Sequence, residues 1–267
     1  MNPVNAYLRP HFEYVFAELV AHGWVRFIDG GAAQGGYLAP HDGVDAIHVT
    51  GSDRTRDAIV WGTDDQAGER RRDDMPLIGK PFISELGGVS LCIVTPGPWS
   101  AADFRFQAGH IGTSKMNNSG HNCIASQILV LPQEWDGTER LLDEIRRVLR
   151  ALPPRTDDYP GAGQRLSAVL AAHPKAETHG DGCRILVPDI TDHDDAVISG
   201  EVFGSTLGVV RLSGDTPAEF LGRALEFAND TLPGTLGATL IVHPRTEKTT
   251  RTGNAGTLDA RAIEGDR

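Results

Sequence analysis

Cysteine is scarce in this chain: three in 267 residues (Cys92, Cys123 and Cys183), odd in number and widely spaced, which argues against a disulfide framework. Long apolar runs are also missing, and nothing approaches the ~20 consecutive residues that a membrane-spanning helix needs. Met1-Asn2-Pro3-Val4 has neither the basic start nor the apolar stretch of a signal peptide, so a reducing cytoplasm is the expected setting. Positive charge is outweighed, with 25 Lys and Arg against 36 Asp and Glu and a net charge of −11, which argues against a phosphate-backbone partner such as nucleic acid. The one dense basic run, Arg70-Arg71-Arg72, is followed by Asp73-Asp74 and reads as a solvated loop. Metal-ligand spacing is lacking too. His173, His179 and His193 stand in polar stretches without a His-x-x-x-His pattern, and no Cys-x-x-Cys occurs, so no metal is expected. No Gly-x-Gly-x-x-Gly or Walker loop is present; Gly30-Gly31-Ala32-Ala33-Gln34-Gly35-Gly36 is the nearest thing and a weak sign of phosphate binding.

What is present is a globular composition, 40% hydrophobic and 23% charged, with 31 Gly and 16 Pro spread along the chain as turns. The length suits one large domain or two modest ones. Phe12, Val15, Phe16, Leu19 and Val20 recur at helical spacing, predicting a helix over 10–22. A strand over 24–28, a helix over 33–38, a strand over 46–50 and a helix over 54–61 follow. That order is the signature of a parallel α/β layer. Val89-Ser90-Leu91-Cys92-Ile93-Val94 reads as a strand buried on both faces. Helices are expected over 101–111, 123–128, 137–152 and 218–229, and strands over 129–131, 183–188, 207–212 and 236–243. From Glu247 the chain is polar, predicting a disordered or poorly packed tail.

Cys123 follows the polar loop Asn118-Ser119-Gly120-His121-Asn122 and precedes an apolar segment. If that segment is a helix, its N-terminus favours thiolate over thiol; the alternative is an ordinary buried cysteine, the reading that suits Cys92 and Cys183. Glu85, ahead of Gly87-Gly88, is either a general base or a plain loop acid. Glu201-Val202-Phe203-Gly204 is unremarkable by itself.

In order, these segments resemble the aldehyde dehydrogenase family. Val49-Thr50-Gly51-Ser52 is similar to the family's Phe-Thr-Gly-Ser turn, and Glu85-Leu86-Gly87-Gly88 matches Glu-Leu-Gly-Gly. Asn118-x-Gly120-x-x-Cys123-x-Ala125 matches the nucleophile segment, and Glu201-x-Phe203-Gly204 matches Glu-x-Phe-Gly. Ala228-Asn229-Asp230-Thr231 and Leu236-Gly237-Ala238 resemble a further stretch of the family. The resemblance implies an α/β fold: a partial Rossmann-like nucleotide-binding layer (1–84), an incomplete α/β catalytic domain of the aldehyde dehydrogenase fold (85–245) and the tail (246–267). It implies catalytic roles for Cys123 as nucleophile, Glu85 as base and Asn118, with Gly51, Ser52, Glu201 and Phe203 binding NAD or NADP. The implied reaction is oxidation of a small-molecule aldehyde to an acid through a thiohemiacetal and a thioester.

Family members extend beyond both ends of this sequence, and the preceding segment holds an oxyanion-hole asparagine and a lysine that binds the adenosine ribose. Reduced cofactor affinity and impaired turnover are therefore expected, since one lost oxyanion donor costs ~10²–10³ in rate. His121 stands in place of the family's glutamine, Ser205 in place of a proline and Val89 in place of a lysine. Two other functions remain open: an inactive remnant or interaction module that forms a homo-oligomer or joins a full-length relative, and a cofactor-free thioester or ester hydrolase.

Overall fold

The computed structural model describes residues 3–155 and 159–252. Contacts divide them into two units, one running to Leu86 and including Tyr159 and Pro160, the other comprising the rest from Gly87 onward. Glu85 therefore ends in the first unit, just short of the division.

The first unit is built around two parallel strands, β1 (Ile47–Gly51) and β2 (Phe82–Leu86), whose register pairs Thr50 with Glu85 and Gly51 with Leu86. Each strand alternates half-buried and exposed side chains. Ser52 caps the helix Asp53–Val60, its hydroxyl accepting from the Thr55 N–H at 3.2 Å. Val60, Trp61 and Ile78 are this unit's buried hydrophobics among the described residues. The expected helix over 10–22 is broken at Phe16 into Arg9–Val15 and Ala17–Ala21, and its apolar stripe is mostly exposed, with Phe12 stacked on Phe16 and Phe27. Residues 24–28 form no strand: the alternation is there, but no neighbouring strand pairs with it. The basic run is a short helix, Ala67–Arg72, in which Arg70 pairs with Asp64 and Arg71 with Asp57.

The second unit is a six-stranded sheet in the order β5-β6-β7-β4-β3-β8. Its strands are β3 (Leu91–Val94), β4 (Ile128–Pro132), β5 (Glu177–His179), β6 (Arg184–Val187), β7 (Thr206–Leu212) and β8 (Ala238–Ile241). All pairs are parallel except β5 with β6. Strand periodicity divides the core in two. Leu91, Ile93, Ile128 and Val130 face the helices Ala162–Ala172 and Pro217–Asp230. Cys92, Val94, Leu129 and Leu131 face Ala101–Met116 and Gly137–Ala151. Helices on both faces explain why these strands read as continuous apolar runs.

Two expectations differ here, and one helix has no counterpart among them. The expected helix over 123–128 is absent: residues 123–127 are a turn and an irregular stretch that lead into β4, because Ile128-Leu129-Val130-Leu131 is taken up by pairing with β3 and β7. Helix Ala162–Ala172, rich in alanine, carries no strong stripe in sequence yet packs Leu166 and Val169 into the core. The polar tail opens on a helix, Pro244–Thr252, held to the sheet by the Thr246 hydroxyl donating to Pro96 O at 3.2 Å; the rest of the expected tail, 253–267, lies outside the described residues. Among the described residues no helix is long and apolar enough to cross a membrane.

Candidate active site

Parallel strands all begin along one rim of their sheet. In the second unit that rim gathers Gly87-Gly88 before β3, the Asn118–Cys123 loop before β4, the Glu201–Gly204 loop before β7 and Leu236-Gly237 before β8. Open α/β sheets more often use their carboxyl ends. The first unit follows that commoner pattern: Gly51-Ser52 leaves β1 and Glu85-Leu86 closes β2 on the same rim.

Cys123 lies in an exposed turn, its thiol 3.8 Å from Asn122 Oδ1. Asn122 shapes the turn: Oδ1 accepts from the Ile124 N–H at 3.0 Å, and its carbonyl accepts from the Ala125 N–H. The Cys123 N–H takes no part in these bonds. Cys123 does not stand at the start of a helix, which corrects the expectation of helix-terminal activation. Cys92 is sealed inside the sheet, where burial pushes its thiol up to about 12. Cys183 lies in the turn just before β6, its thiol donating to Gly180 O at 2.7 Å.

The loop before Cys123 is strained. Asn118 (φ 52°) and Ser119 (φ 54°) are left-handed, as is Phe203 (φ 45°) in the adjoining loop. Such residues cost of order 1–3 kcal/mol each and cluster where surrounding structure enforces a geometry. Gly120 (φ +74°) supplies the close approach between the loops, because a Cβ there would collide with the Gly204 carbonyl. Asn118 braces the loop: Nδ2 donates to His121 O at 3.1 Å, and Oδ1 accepts from Arg155 at 3.1 Å. The His121 ring meets Phe203 edge-on at 5.5 Å.

Glu201 is half-buried, and a Cβ on Gly87 would overlap its carboxylate. Lys115, 1% exposed, lies within electrostatic reach of it; burial pushes the Lys115 amine down to about 7 against a smaller upward pull from Glu201. Gln127, 2% exposed, donates to Val197 O at 2.7 Å and Gly200 O at 2.8 Å and accepts from the Val202 N–H at 2.8 Å. Neither residue stands out in the sequence. Lys115 continues the apolar stripe of Phe104, Ala108 and Ile111, which is the one sign of its burial.

Thus Cys123, Asn118, Glu201 and Phe203 come together at one rim of the second unit, while Gly51, Ser52 and Glu85 share a rim of the first. Among the described residues no group of His, Cys, Asp and Glu is arranged to hold a metal ion.

Residues 8–160 match the model of the aldehyde dehydrogenase family, and the chain belongs to that family. The matched stretch includes Glu85 and Cys123 but stops short of Glu201. No individual curated sequence matches the chain. Among solved structures, it is similar to gamma-glutamyl-gamma-aminobutyraldehyde dehydrogenase from Burkholderia cenocepacia (21% identity, TM-score 0.63, 84% of this chain and 45% of that one). It is also similar to an indole-3-acetaldehyde dehydrogenase in complex with NAD+ (22%, TM-score 0.61, 86% and 45%). A third is NADP-dependent glyceraldehyde-3-phosphate dehydrogenase from Bacillus halodurans with NADP (20%, TM-score 0.59, 86% and 47%). The chain thus has the fold of these proteins over about half of their length.

Proposed function

We propose that the chain oxidises a small-molecule aldehyde to a carboxylic acid with NAD or NADP, through a thiohemiacetal and then a thioester on Cys123. The observation that carries this reading is the close approach of Gly120, in the loop that leads to the exposed Cys123, to Gly204 in the Glu201–Gly204 loop, at the amino ends of the adjacent strands β4 and β7.

Residues of each unit suit parts of a dinucleotide. Gly87, lacking a Cβ, lets the Glu201 carboxylate lie against its backbone, and the Phe203 ring is fixed by a left-handed backbone and by His121. In the second unit Glu201 would hold the nicotinamide ribose and Phe203 the ring; in the first unit, taken by itself, Gly51 and Ser52 at the start of a capped helix would suit a phosphate. Bound NAD or NADP would supply the hydride acceptor. Cys123, as thiolate, adds to the aldehyde carbon, and the unengaged Cys123 N–H donates to the developing oxyanion. Asn118 holds the turn in that conformation. The motif alone supports Glu85 as the base of the hydrolytic half-reaction, the group that would take a proton from the water that cleaves the thioester. Three free cysteines suit a reducing cytoplasm.

The test is the formation of reduced nicotinamide and acid from a panel of aldehydes with NAD or NADP, compared with Cys123→Ala. No turnover by the wild-type chain with any aldehyde sinks the reading.

A second reading is favoured by the first unit, where Tyr7, Tyr14, Trp24 and Tyr37 are exposed. On this reading the chain is a non-catalytic module that pairs with itself or with a full-length relative. An unchanged hydrodynamic size, alone and on mixing with such a relative, would dismiss it.

A further inference from the structure

Gln127 occupies an unusual position. Its backbone is woven into the sheet: its N–H donates to Ser90 O at 2.7 Å, and its carbonyl accepts from the Gly208 N–H at 2.8 Å. It lies four residues beyond Cys123, on the segment that carries the thiol into β4. Its side chain reaches along the rim into the segment 197–202 before β7. There one amide makes three hydrogen bonds to backbone groups on both sides of Glu201. Both N–H bonds of the amide are used, and its oxygen is used as well.

Each bond has a consequence. Val197 belongs to the short helix Ala196–Ser199, whose carbonyls have few partners within so short an element. Gly200 and Val202 flank Glu201, and neither joins a strand ladder, since β7 begins only at Thr206. The backbone around Glu201 is therefore held by side chains rather than by secondary structure: Gln127 on the near side, and Arg165, whose Nε donates to Val202 O at 2.7 Å and whose Nη2 donates to Phe203 O at 3.1 Å. A glutamine suits that role, because it offers two donors and an acceptor in one plane, at a reach that Asn lacks by a methylene.

We infer that Gln127 is a positioning residue that ties the Glu201–Phe203 loop to the Cys123-bearing segment, fixing the cofactor-holding carboxylate relative to the thiol. The inference rests on the reading of Glu201 as the nicotinamide-ribose ligand. It also explains why a polar side chain is kept 2% exposed at the entrance to an apolar strand, where an aliphatic residue would otherwise pack.

The experiment compares wild type, Gln127→Met, Gln127→Asn and Ile145→Val, the last a mild lesion in the core on the opposite face of the sheet. Two quantities are read: amide hydrogen exchange at Val202 relative to Leu129 and Val209, and the dissociation constants for NADH and NADPH. Gln127→Met should expose the Val202 amide at least about tenfold while leaving the two strand amides protected. It should weaken nicotinamide binding about tenfold, as should Glu201→Gln, with Ile145→Val changing neither quantity. Should Gln127→Met fail to fold, Gln127→Asn reads the same quantities with a smaller loss. Unchanged Val202 protection overturns the tie, whatever the cofactor results. Lost protection with unchanged NADH and NADPH affinity, in a chain where Glu201→Gln lowers it, overturns the positioning role. If Glu201→Gln leaves binding unaltered, or wild type binds neither nucleotide, the assignment of Glu201 falls instead, and the exchange data alone decide the tie.

Discussion

Gly120 faces Gly204 so closely that a methyl group on the first would strike the carbonyl oxygen of the second. Two loops, one ahead of β4 and one ahead of β7, meet through bare backbone, and the thiol turn and the acidic loop become one rim because of it. Gly120→Ala should therefore separate them. Its φ of +74° adds strain to the collision, and a loss of roughly 2–4 kcal/mol is expected in urea denaturation. Gly109, in the helix Ala101–Met116, has open space at its Cβ, and Gly109→Ala should stabilise by roughly 0.5–1 kcal/mol. A Gly120→Ala midpoint equal to wild type would contradict the packing.

Thiol alkylation should discriminate the cysteines by position. Cys123 is exposed, whereas Cys92 is 1% exposed with its thiol pushed up to about 12. Iodoacetamide at neutral pH should label the Cys123 peptide first and leave Cys92 untouched until denaturant is added. Peptide mass spectrometry reads the order. Labelling of Cys92 in the native protein would contradict the sheet assignment.

Stability should rise with pH above neutrality. Lys115 has a folded value of about 7 against an ordinary 10.5, so between those values the unfolded chain holds a proton the folded chain has released. Cys92 opposes this only above its ordinary 9.0, where the folded thiol alone keeps its proton. His179, pushed down by burial, acts below its ordinary 6.5. The window from pH 7 to 9 therefore isolates Lys115, and a gain on the order of 2 kcal/mol is expected across it. Lys115→Met should flatten the profile. A decline across that window in wild type would refute the buried amine.

If Glu85 is the base of the second half-reaction, Glu85→Gln should leave acylation in place. The expected result is a stoichiometric burst of reduced nicotinamide followed by steady turnover lowered by about 10²-fold, with an acyl mass on Cys123. Equal steady-state rates for Glu85→Gln and wild type would remove Glu85 from the mechanism.

Much of the second unit is legible in sequence. Leu129-Val130-Leu131 and Val89–Val94 announce buried strands, and Leu141, Leu142, Ile145 and Leu149 trace one stripe of a helix. These signals are strong because each element meets the core on a whole face. The turn at Cys123 reads as a helix because the apolar run after it suits either element, and only pairing with β3 and β7 decides for strand. Residues 24–28 fail in the opposite sense: the pattern of a strand is present without a partner.

The site divides the same way. Motif spelling picks out Cys123, Glu201 and Phe203, since residue identities and their order stay readable in one dimension. Gln127 and Lys115 carry no such spelling. Their importance comes from what lies around them, a loop 70 or more residues away for Gln127 and a half-buried carboxylate neighbour for Lys115.

The sequence alone determined the family, the parallel α/β character and the residues that match the family's motifs, because residue identity and period survive in a linear string. Only the tertiary structure decided which rim of each sheet carries the motifs, that the thiol lies in a turn and not at the start of a helix, and that a glutamine amide holds the acidic loop. Those outcomes depend on strand pairing and burial, and both are made by residues far apart in the chain.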